Sequence, residues 1–191
     1  MRLDRQQLQA LFDGYTPTSL PLVDMRPAAV LAALFVKEGA DHLLLTRRTD
    51  HLPHHRGEIS FPGGGRDPED DNLLSTALRE SEEELGIRPG DVNIYGQLDD
   101  VLSIHGYRVT PFLGEIPYPY PIRPDAGEID TVLELPLAEF FVPDIYRVED
   151  WSWQGRVHPV RFYTVQGEEV WGMTAEIVHR LLSLLVPLAR R

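Results

Sequence analysis

The stretch GRDPEDDNLLSTALRESEEELGI, from Gly65 to Ile87, decides how this chain is interpreted. The Asp-Asp-Asn run at 70–72 can cap the start of a helix, and Gly86 is typical of a helix end. Four glutamates, at positions 80, 82, 83 and 84, fall close to that end. There the negative pole of the helix dipole disfavours acids, and like charges one turn apart repel each other. A fold that accepts these costs is expected to place a cation beside them.

Helical rotation sorts the four glutamates onto different faces. At about 100° per residue, Glu80, Glu83 and Glu84 share one stripe, whereas Glu82 lies apart from it. A second stripe faces the core and comprises Leu74, Leu78, Ser81 and Leu85. Convergent carboxylates suit a hard cation such as Mg²⁺ or Mn²⁺. The alternative from this pattern alone is a solvated acidic face on an amphipathic helix.

The same stretch resembles the Nudix box, G-x5-E-x7-R-E-U-x-E-E-x-G-U, in which U is a bulky apolar residue. The residues that match in register are Gly65, Arg79, Glu80, Glu83, Glu84, Gly86 and Ile87. Asp71 stands where the family has glutamate, and Ser81 stands where it has an apolar residue. The resemblance implies metal binding by Glu80, Glu83, Glu84 and Gly65. It further implies catalytic roles for Glu83 and Glu84, with Arg79 orienting a neighbouring glutamate.

A second motif lies upstream, in LLLTRRTDHLPHHRGEISFPGGG from Leu43 to Gly65. It resembles the signature of the coenzyme A pyrophosphatase branch of the Nudix hydrolases, L-L-T-x-R-(S/A)-x3-R-x3-G-x3-F-P-G-G. The matching residues are Leu44, Leu45, Thr46, Arg48, Gly57, Phe61, Pro62, Gly63 and Gly64. Thr49 replaces the small residue, and Pro53 replaces the second arginine. The role of that arginine is therefore either missing or transferred to Arg47 or Arg56.

Together the two resemblances imply an α/β (α+β) chain with the Nudix fold, an α/β/α sandwich around a mixed β-sheet. They imply metal-dependent hydrolysis of coenzyme A to 3′,5′-ADP and 4′-phosphopantetheine, with Mg²⁺ or Mn²⁺ as cofactor. Arginine forks match phosphate oxygens, and glycines allow close approach to a ligand. The expected substrate-binding residues are Arg47, Arg48, Arg56, Phe61, Gly63 and Gly64. Glu128, after a proline-rich loop, is the expected general base, with an acid of the box as the alternative.

Two other functions stay open from the sequence. The same chemistry could act on ADP-ribose, NADH or dinucleoside polyphosphates, an alternative that the Pro53 replacement supports. A non-catalytic nucleotide-binding sensor is the other, although a sensor has no need of hydrolytic ligands such as Glu80 and Glu84. Zinc is not expected, because the chain has no cysteine and its histidines at 51, 54 and 55 lack the H-E-x-x-H spacing.

Length and composition limit the possible domain organisation and partners of the chain. With 191 residues, the chain is expected to have an N-terminal helix and linker (1–26) and a single Nudix domain (27–191). The formal net charge of −12 argues against nucleic acid and anionic membranes as partners. The expected partner is a small-molecule substrate, coenzyme A. The oligomeric state is left open, a homodimer included. Cytoplasm is the default expected location, since no signal peptide is recognised.

Apolar runs separated by turns predict the strands. The runs Ala28–Val36 and His42–Thr46 flank a Lys-Glu-Gly-Ala turn and predict a hairpin. The segment from 117 to 124, PYPYPIRP, is expected to be an extended surface loop. Further strands are predicted at Glu58–Phe61, Val92–Leu102, Arg108–Ile116, Thr131–Leu135, Val157–Val165 and Glu169–Trp171, with a terminal helix at Thr174–Leu188. Strands interleaved with helices indicate a layered α/β domain.

Overall fold

The predicted hairpin forms the centre of a mixed sheet in the computed structural model, which describes residues 1–21, 24–49, 57–153 and 155–189. The α-helices are α1 (Arg5–Asp13), α2 (Leu73–Leu85) and α3 (Gly172–Ala189), and short 3-10 helices lie at Pro89–Asp91, Glu139–Phe141 and Pro143–Ile145. The strands are β1 (Arg26–Lys37), β2 (Ala40–Arg48), β3 (Ile59–Ser60), β4 (Gly63–Gly65), β5 (Asn93–Gln97), β6 (Val101–Leu102), β7 (Tyr107–Glu115), β8 (Ile129–Pro136), β9 (Tyr146–Trp153), β10 (Arg156–Val165) and β11 (Glu168–Trp171).

The large sheet has the order β3-β2-β1-β7-β5, with β4 paired to β1, β6 to β7 and β8 to β2. Strands β1 and β7 run parallel, while β1 and β2 are antiparallel with Lys37 opposite Ala40. A second sheet, β11-β10-β9, has three antiparallel strands. The predicted mixed sheet is confirmed.

Strand β1 is buried on both faces, because helices cover both sides of the sheet. Its even-numbered residues from 28 to 34 join a core cluster with α1 and α3, and its odd-numbered residues from 29 to 35 join another with α2. A strand covered on both sides has a continuous apolar run rather than alternation. This layering is the α/β/α arrangement that the sequence predicted.

Two strands of the structure, β4 and β9, were not predicted from the sequence. Strand β4 consists of three glycines, which carry no side chains and hence no hydrophobic pattern. Strand β9, YRVEDWSW, is an edge strand in which the alternation of apolar residues changes phase at Glu149-Asp150. The segment Val92–Leu102, predicted as one strand, is divided into β5 and β6. Helix α3 begins at Gly172 and continues past Pro187 to Ala189.

Helix α3 is long and apolar enough to cross a membrane by length and composition alone. Its apolar face, however, is accounted for by packing within this chain: six of its apolar residues, among them Ile177, Leu181 and Leu185, are buried in the core.

A buried carboxylate, that of Asp41, ties the start of the N-terminal segment to the sheet. Asp41, fully buried, accepts hydrogen bonds from the backbone N–H of Leu3 at 2.5 Å, from Arg2 at 2.8 Å and from Arg5 at 2.6 Å. Arg5 also pairs with Glu115 at 2.7 Å. These contacts hold α1 against the end of the sheet away from β4.

Candidate functional site

Helix α2 begins and ends as the sequence predicted, and its ends fix the positions of the acids. Asn72 caps the helix in a reciprocal pair with Ser75, and Gly86 ends it in the left-handed conformation with φ of 70°. Ser81, on the core-facing stripe, is fully buried and donates to the carbonyl of Ala77 at 2.6 Å. A hydroxyl satisfied in this way can occupy a position where the Nudix box has an apolar residue.

Strand β4 brings backbone against the acids of α2. The N–H of Gly63 donates to Oε2 of Glu84 at 3.1 Å. A Cβ atom at Gly64 would lie 2.5 Å from Cδ of Glu80, so the carboxylate occupies the space a side chain would fill. Glycine is therefore needed at position 64, because only a residue without Cβ leaves room for this approach.

Glu84 is the buried acid of the site, with 5% of its surface exposed. Burial is the main cause that raises its pKa to about 7, and the neighbouring Glu80 and Glu128 raise it further. The Gly63 N–H and the Arg48 guanidinium act in the opposite direction. The pKa of Glu80 is likewise raised, chiefly by burial. These shifts indicate that Glu80, Glu84 and Glu128 share one electrostatic environment.

Glu128 reaches this environment because its loop is bound to the end of α2. The backbone N–H of Arg123 donates to the carbonyl of Leu85, and that of Asp125 to the carbonyl of Glu84, both at 2.8 Å. These bonds satisfy carbonyls that a helix end otherwise leaves unpaired. The carboxylate of Glu128 then accepts a hydrogen bond from Arg48 at 3.0 Å.

Glu83 lies apart from Glu84, at the rim. Its side chain is 60% exposed and pairs with Arg79 at 3.0 Å. Arg79 also contacts Glu80 at 3.0 Å and the Gly65 carbonyl at 3.2 Å. The predicted role of Arg79 in orienting a neighbouring glutamate is consistent with these contacts. The single stripe predicted for the three glutamates is thus divided into a buried part and an exposed part.

Asp70 anchors Arg79 from the other side, a role that the sequence did not reveal. This carboxylate is buried, accepts from Nε of Arg79 at 2.9 Å, and accepts from the Thr76 hydroxyl at 2.8 Å. The hydrogen bond from Arg79 is the main cause that lowers the pKa of Asp70 from its ordinary value of 3.8 to about 2. In sequence, Asp70 is indistinguishable from the other acids before α2.

We expect this carboxylate to make the stability of the fold pH-dependent in acid. Because its pKa is lower in the folded state, its contribution is present above pH 3.8 and is lost as the pH falls through about 2. A shift of this size corresponds to about 2 kcal/mol of unfolding free energy. Urea unfolding from pH 6 to pH 2 should show the stability difference between the wild type and Asp70→Asn shrinking by about that amount. A difference that stays constant with pH would contradict the assignment.

The predicted substrate-binding residues have different environments. Arg47 forms an ion pair with Glu168 of β11, whereas Arg48 contacts the acids of the site. Phe61 is buried in the core. Arg56 and Pro53 lie outside the described residues. Gly63 and Gly64 lie against Glu84 and Glu80 as stated above.

The donor chemistry fits a hard cation, although the carboxylates are held by arginines. Among the described residues, no three His, Asp or Glu side chains are arranged to enclose a metal ion. Glu80 contacts Arg79, and Glu84 contacts Arg48. Yet burial and two neighbouring carboxylates raise the pKa of Glu84, and a divalent cation would relieve the repulsion among these negative charges. The residues therefore fit a cation at Glu80 and Glu84.

Comparison with known proteins identifies relatives over most of the chain. The NUDIX domain family model matches residues 25–160. The uncharacterised Nudix hydrolase NudL of Photorhabdus laumondii is 41% identical over 156 residues, which cover 82% of this chain and 83% of that protein. NudL of Yersinia pestis is 40% identical over 156 residues, covering 82% and 78% respectively.

Solved structures share the fold at low sequence identity. A MutT/nudix family protein from Enterococcus faecalis superposes with a TM-score of 0.58 at 13% identity, covering 98% of this chain and 76% of that one. An Ap4A hydrolase from C. elegans gives a TM-score of 0.51 at 21% identity, with coverage of 58% and 80%.

Proposed function

Because the chain belongs to the Nudix hydrolase family, we propose that its substrate is coenzyme A, cleaved at the diphosphate bond to 3′,5′-ADP and 4′-phosphopantetheine. Hydrolysis of phosphoanhydride bonds is common to the family, and the proposal concerns the substrate. The observation that carries it is the position of the upstream signature. Its Arg48 contacts Glu84 and Glu128, its Gly63 donates to Glu84, and its Gly64 lies against Glu80.

Nudix hydrolases generally need a divalent cation such as Mg²⁺. In this proposal Glu80 and Glu84 would hold Mg²⁺ or Mn²⁺. Glu83 and the Gly65 carbonyl, which were also expected as ligands, are hydrogen-bonded to Arg79 at the rim and would join them only on leaving that arginine. When bound, such a cation neutralises the diphosphate and lowers the pKa of a coordinated water. The chain itself orients Glu80 through Arg79, excludes solvent around Glu84, and holds Glu128 near both as the candidate base. Positioning and charge stabilisation are the main requirements of phosphoryl transfer.

An anionic substrate needs positively charged side chains that are not already paired with carboxylates. In a chain with a net charge of −12, such side chains have to be sought near the site itself. In the described part of the chain, no carboxylate is in ion-pair contact with Arg26, Arg66 or Arg123. Arg26 lies over the Tyr107 ring at 4.1 Å, Arg66 follows Gly65, and Arg123 adjoins the end of α2. All three residues are exposed, and the backbone N–H of Arg66 donates to the carbonyl of Pro27, next to Arg26, so these two arginines follow the pairing of β4 with β1. Arg66 also donates to the Asp70 carbonyl at 2.9 Å, which leaves its positive charge free to attract phosphate oxygens.

Product analysis tests the substrate. We expect coenzyme A incubated with the protein and Mg²⁺ or Mn²⁺ to give 3′,5′-ADP and 4′-phosphopantetheine, both resolved by chromatography and mass spectrometry. Dephospho-coenzyme A, which lacks the 3′-phosphate, should be cleaved with a lower kcat/KM. ADP-ribose, NADH and dinucleoside polyphosphates complete the panel. Absence of 3′,5′-ADP would contradict the proposal, and a higher kcat/KM for another member of the panel would reassign the substrate.

A non-catalytic sensor is the second function, and the structure favours it less. Burial of Glu84 beside two other carboxylates is costly, and a domain that only binds nucleotides has no need of it. Binding of coenzyme A without any turnover in the presence of either cation would support the sensor instead.

A further inference from the structure

Arg48 contacts two acids, Glu84 and Glu128, that belong to different segments of the chain. Its Nη1 lies 3.3 Å from Oε1 of Glu84, and its Nη2 lies 3.0 Å from Oε2 of Glu128. Glu84 belongs to α2, whereas Glu128 immediately precedes β8. One guanidinium therefore bridges a buried acid and a half-exposed acid from different elements.

The backbone around Arg48 is shaped for this bridge. The pairing of strands β2 and β8 contains a register shift. Arg47 lies opposite Thr131, whereas the next residue, Arg48, lies opposite Ile129. The extra residue in β8 is thus next to the segment that carries Glu128. Bulges of this kind redirect side chains and occur beside active sites. The N–H of Thr49 also donates to the carbonyl of Glu128 at 2.9 Å, so the backbone segments that carry Arg48 and Glu128 are hydrogen-bonded to each other at this point.

The guanidinium of Arg48 makes its hydrogen bonds to these acids. Its Nε is buried and has no hydrogen-bond partner among the described residues. Its η nitrogens, which a phosphate would need for bidentate binding, are both directed at carboxylates. A residue engaged in this way is better suited to hold the acids than to receive the substrate.

We propose that Arg48 is a positioning residue, which holds the carboxylate of Glu128 in a fixed position relative to Glu84. This inference rests on the proposed hydrolysis, in which Glu128 is the candidate base. It assigns the arginine of the upstream signature to the alignment of the acids rather than to the substrate phosphates. The side-chain charge and the two-pronged geometry both contribute, because a point charge such as lysine attracts the carboxylates but cannot bridge the two of them in the same way.

A kinetic double-mutant cycle separates these two roles. We expect Arg48→Gln to lower kcat about 10- to 100-fold with little change in KM, as loss of an orienting partner does. In the Glu128→Gln background, the same substitution should lower kcat by less than about threefold, because residues that act as a unit are not additive. Arg48→Lys should recover part of the lost kcat.

Arg147 provides the matched control, since it also bridges two carboxylates, those of Glu149 and Glu169 at 2.9 and 2.8 Å, in the small sheet. We expect Arg147→Gln to leave kcat and KM unchanged. A rise in KM for Arg48→Gln at constant kcat, with effects that add to those of Glu128→Gln, would overturn the proposal and assign Arg48 to the substrate.

Thermal unfolding without added metal tests the contact between Arg48 and Glu128 independently of turnover. Relative to the same substitution in the Arg48→Gln background, Glu128→Gln in the wild type should make Tm lower by about 2 °C or more, because only the wild type has the bridge to lose. Equal Tm shifts in the two backgrounds would overturn the link. A wild type that cleaves none of the substrates would contradict the proposed function instead, and the unfolding cycle would still decide on the bridge.

Discussion

Replacing Glu84 with glutamine is expected to remove at least 99% of turnover while the chain stays folded, a loss of about 100-fold or more that exceeds the effect of outer-shell partners. Glutamine keeps the shape and can still accept the hydrogen bond from the Gly63 N–H at 3.1 Å. It cannot supply the negative charge that a divalent cation requires. Steady-state kinetics over a range of Mg²⁺ and Mn²⁺ concentrations measures the effect.

Stability should not fall in parallel. Burial and the neighbouring carboxylates raise the pKa of Glu84 to about 7, which means that its charge is unfavourable in the folded state. Removing that charge is therefore expected to leave Tm unchanged or to raise it, as is common when strained functional groups are neutralised. Glu82→Gln is the matched control, since Glu82 is exposed on the same helix and lies off the acidic stripe. Near-normal turnover and cation dependence in Glu84→Gln would contradict the metal assignment.

The largest effect on stability is expected from Gly63→Ala. Gly63 has φ of 149°, a conformation that residues with a Cβ atom rarely adopt. A Cβ there would lie 2.3 Å from the Ala29 carbonyl oxygen and 2.6 Å from Cα of Val30, both backbone atoms of the central strand. Since neither atom can move without disturbing the sheet, we expect a loss of about 3 kcal/mol or more in unfolding free energy. Urea or thermal unfolding measures it.

Gly64→Ala is the informative comparison, because the neighbouring glycine meets a side chain instead. Its Cβ would lie 2.5 to 2.6 Å from the carboxylate atoms of Glu80, the far end of a flexible chain. We therefore expect Gly64→Ala to unfold close to the wild type but to lose activity as Glu80 is displaced. Equal losses of stability in the two variants would show that β4 is not constrained as the structure indicates.

Features that depend on neighbours along the chain could be predicted from the sequence. The start and end of α2 follow from its capping residues, and the hairpin of β1 and β2 follows from two apolar runs around a turn. The Nudix box identified the family, whereas the branch predicted from the upstream signature stays a proposal. Local patterns failed where side chains carry no continuous periodic signal, as in the three glycines of β4 and in the edge strand β9, whose alternation changes phase.

The partners of the acids were decided by the tertiary structure. Helical rotation predicted one stripe for Glu80, Glu83 and Glu84, but Arg79 holds Glu83 at the exposed rim while Glu84 is buried. Arg48 and Glu128 are 80 residues apart, and they meet only because β2 pairs with β8 and the loop that precedes β8 binds the end of α2.

The sequence by itself determined the reaction class and the helix that carries the acids, because the spacing of residues on one helix fixes which side chains share a face. Which carboxylate is buried, which arginine holds it, and which distant acid joins it depend on sheet register and on desolvation. Those quantities are set by the packing of segments far apart in the chain, which no local spacing records. The four glutamates were visible in the sequence, and their separate environments came from the fold.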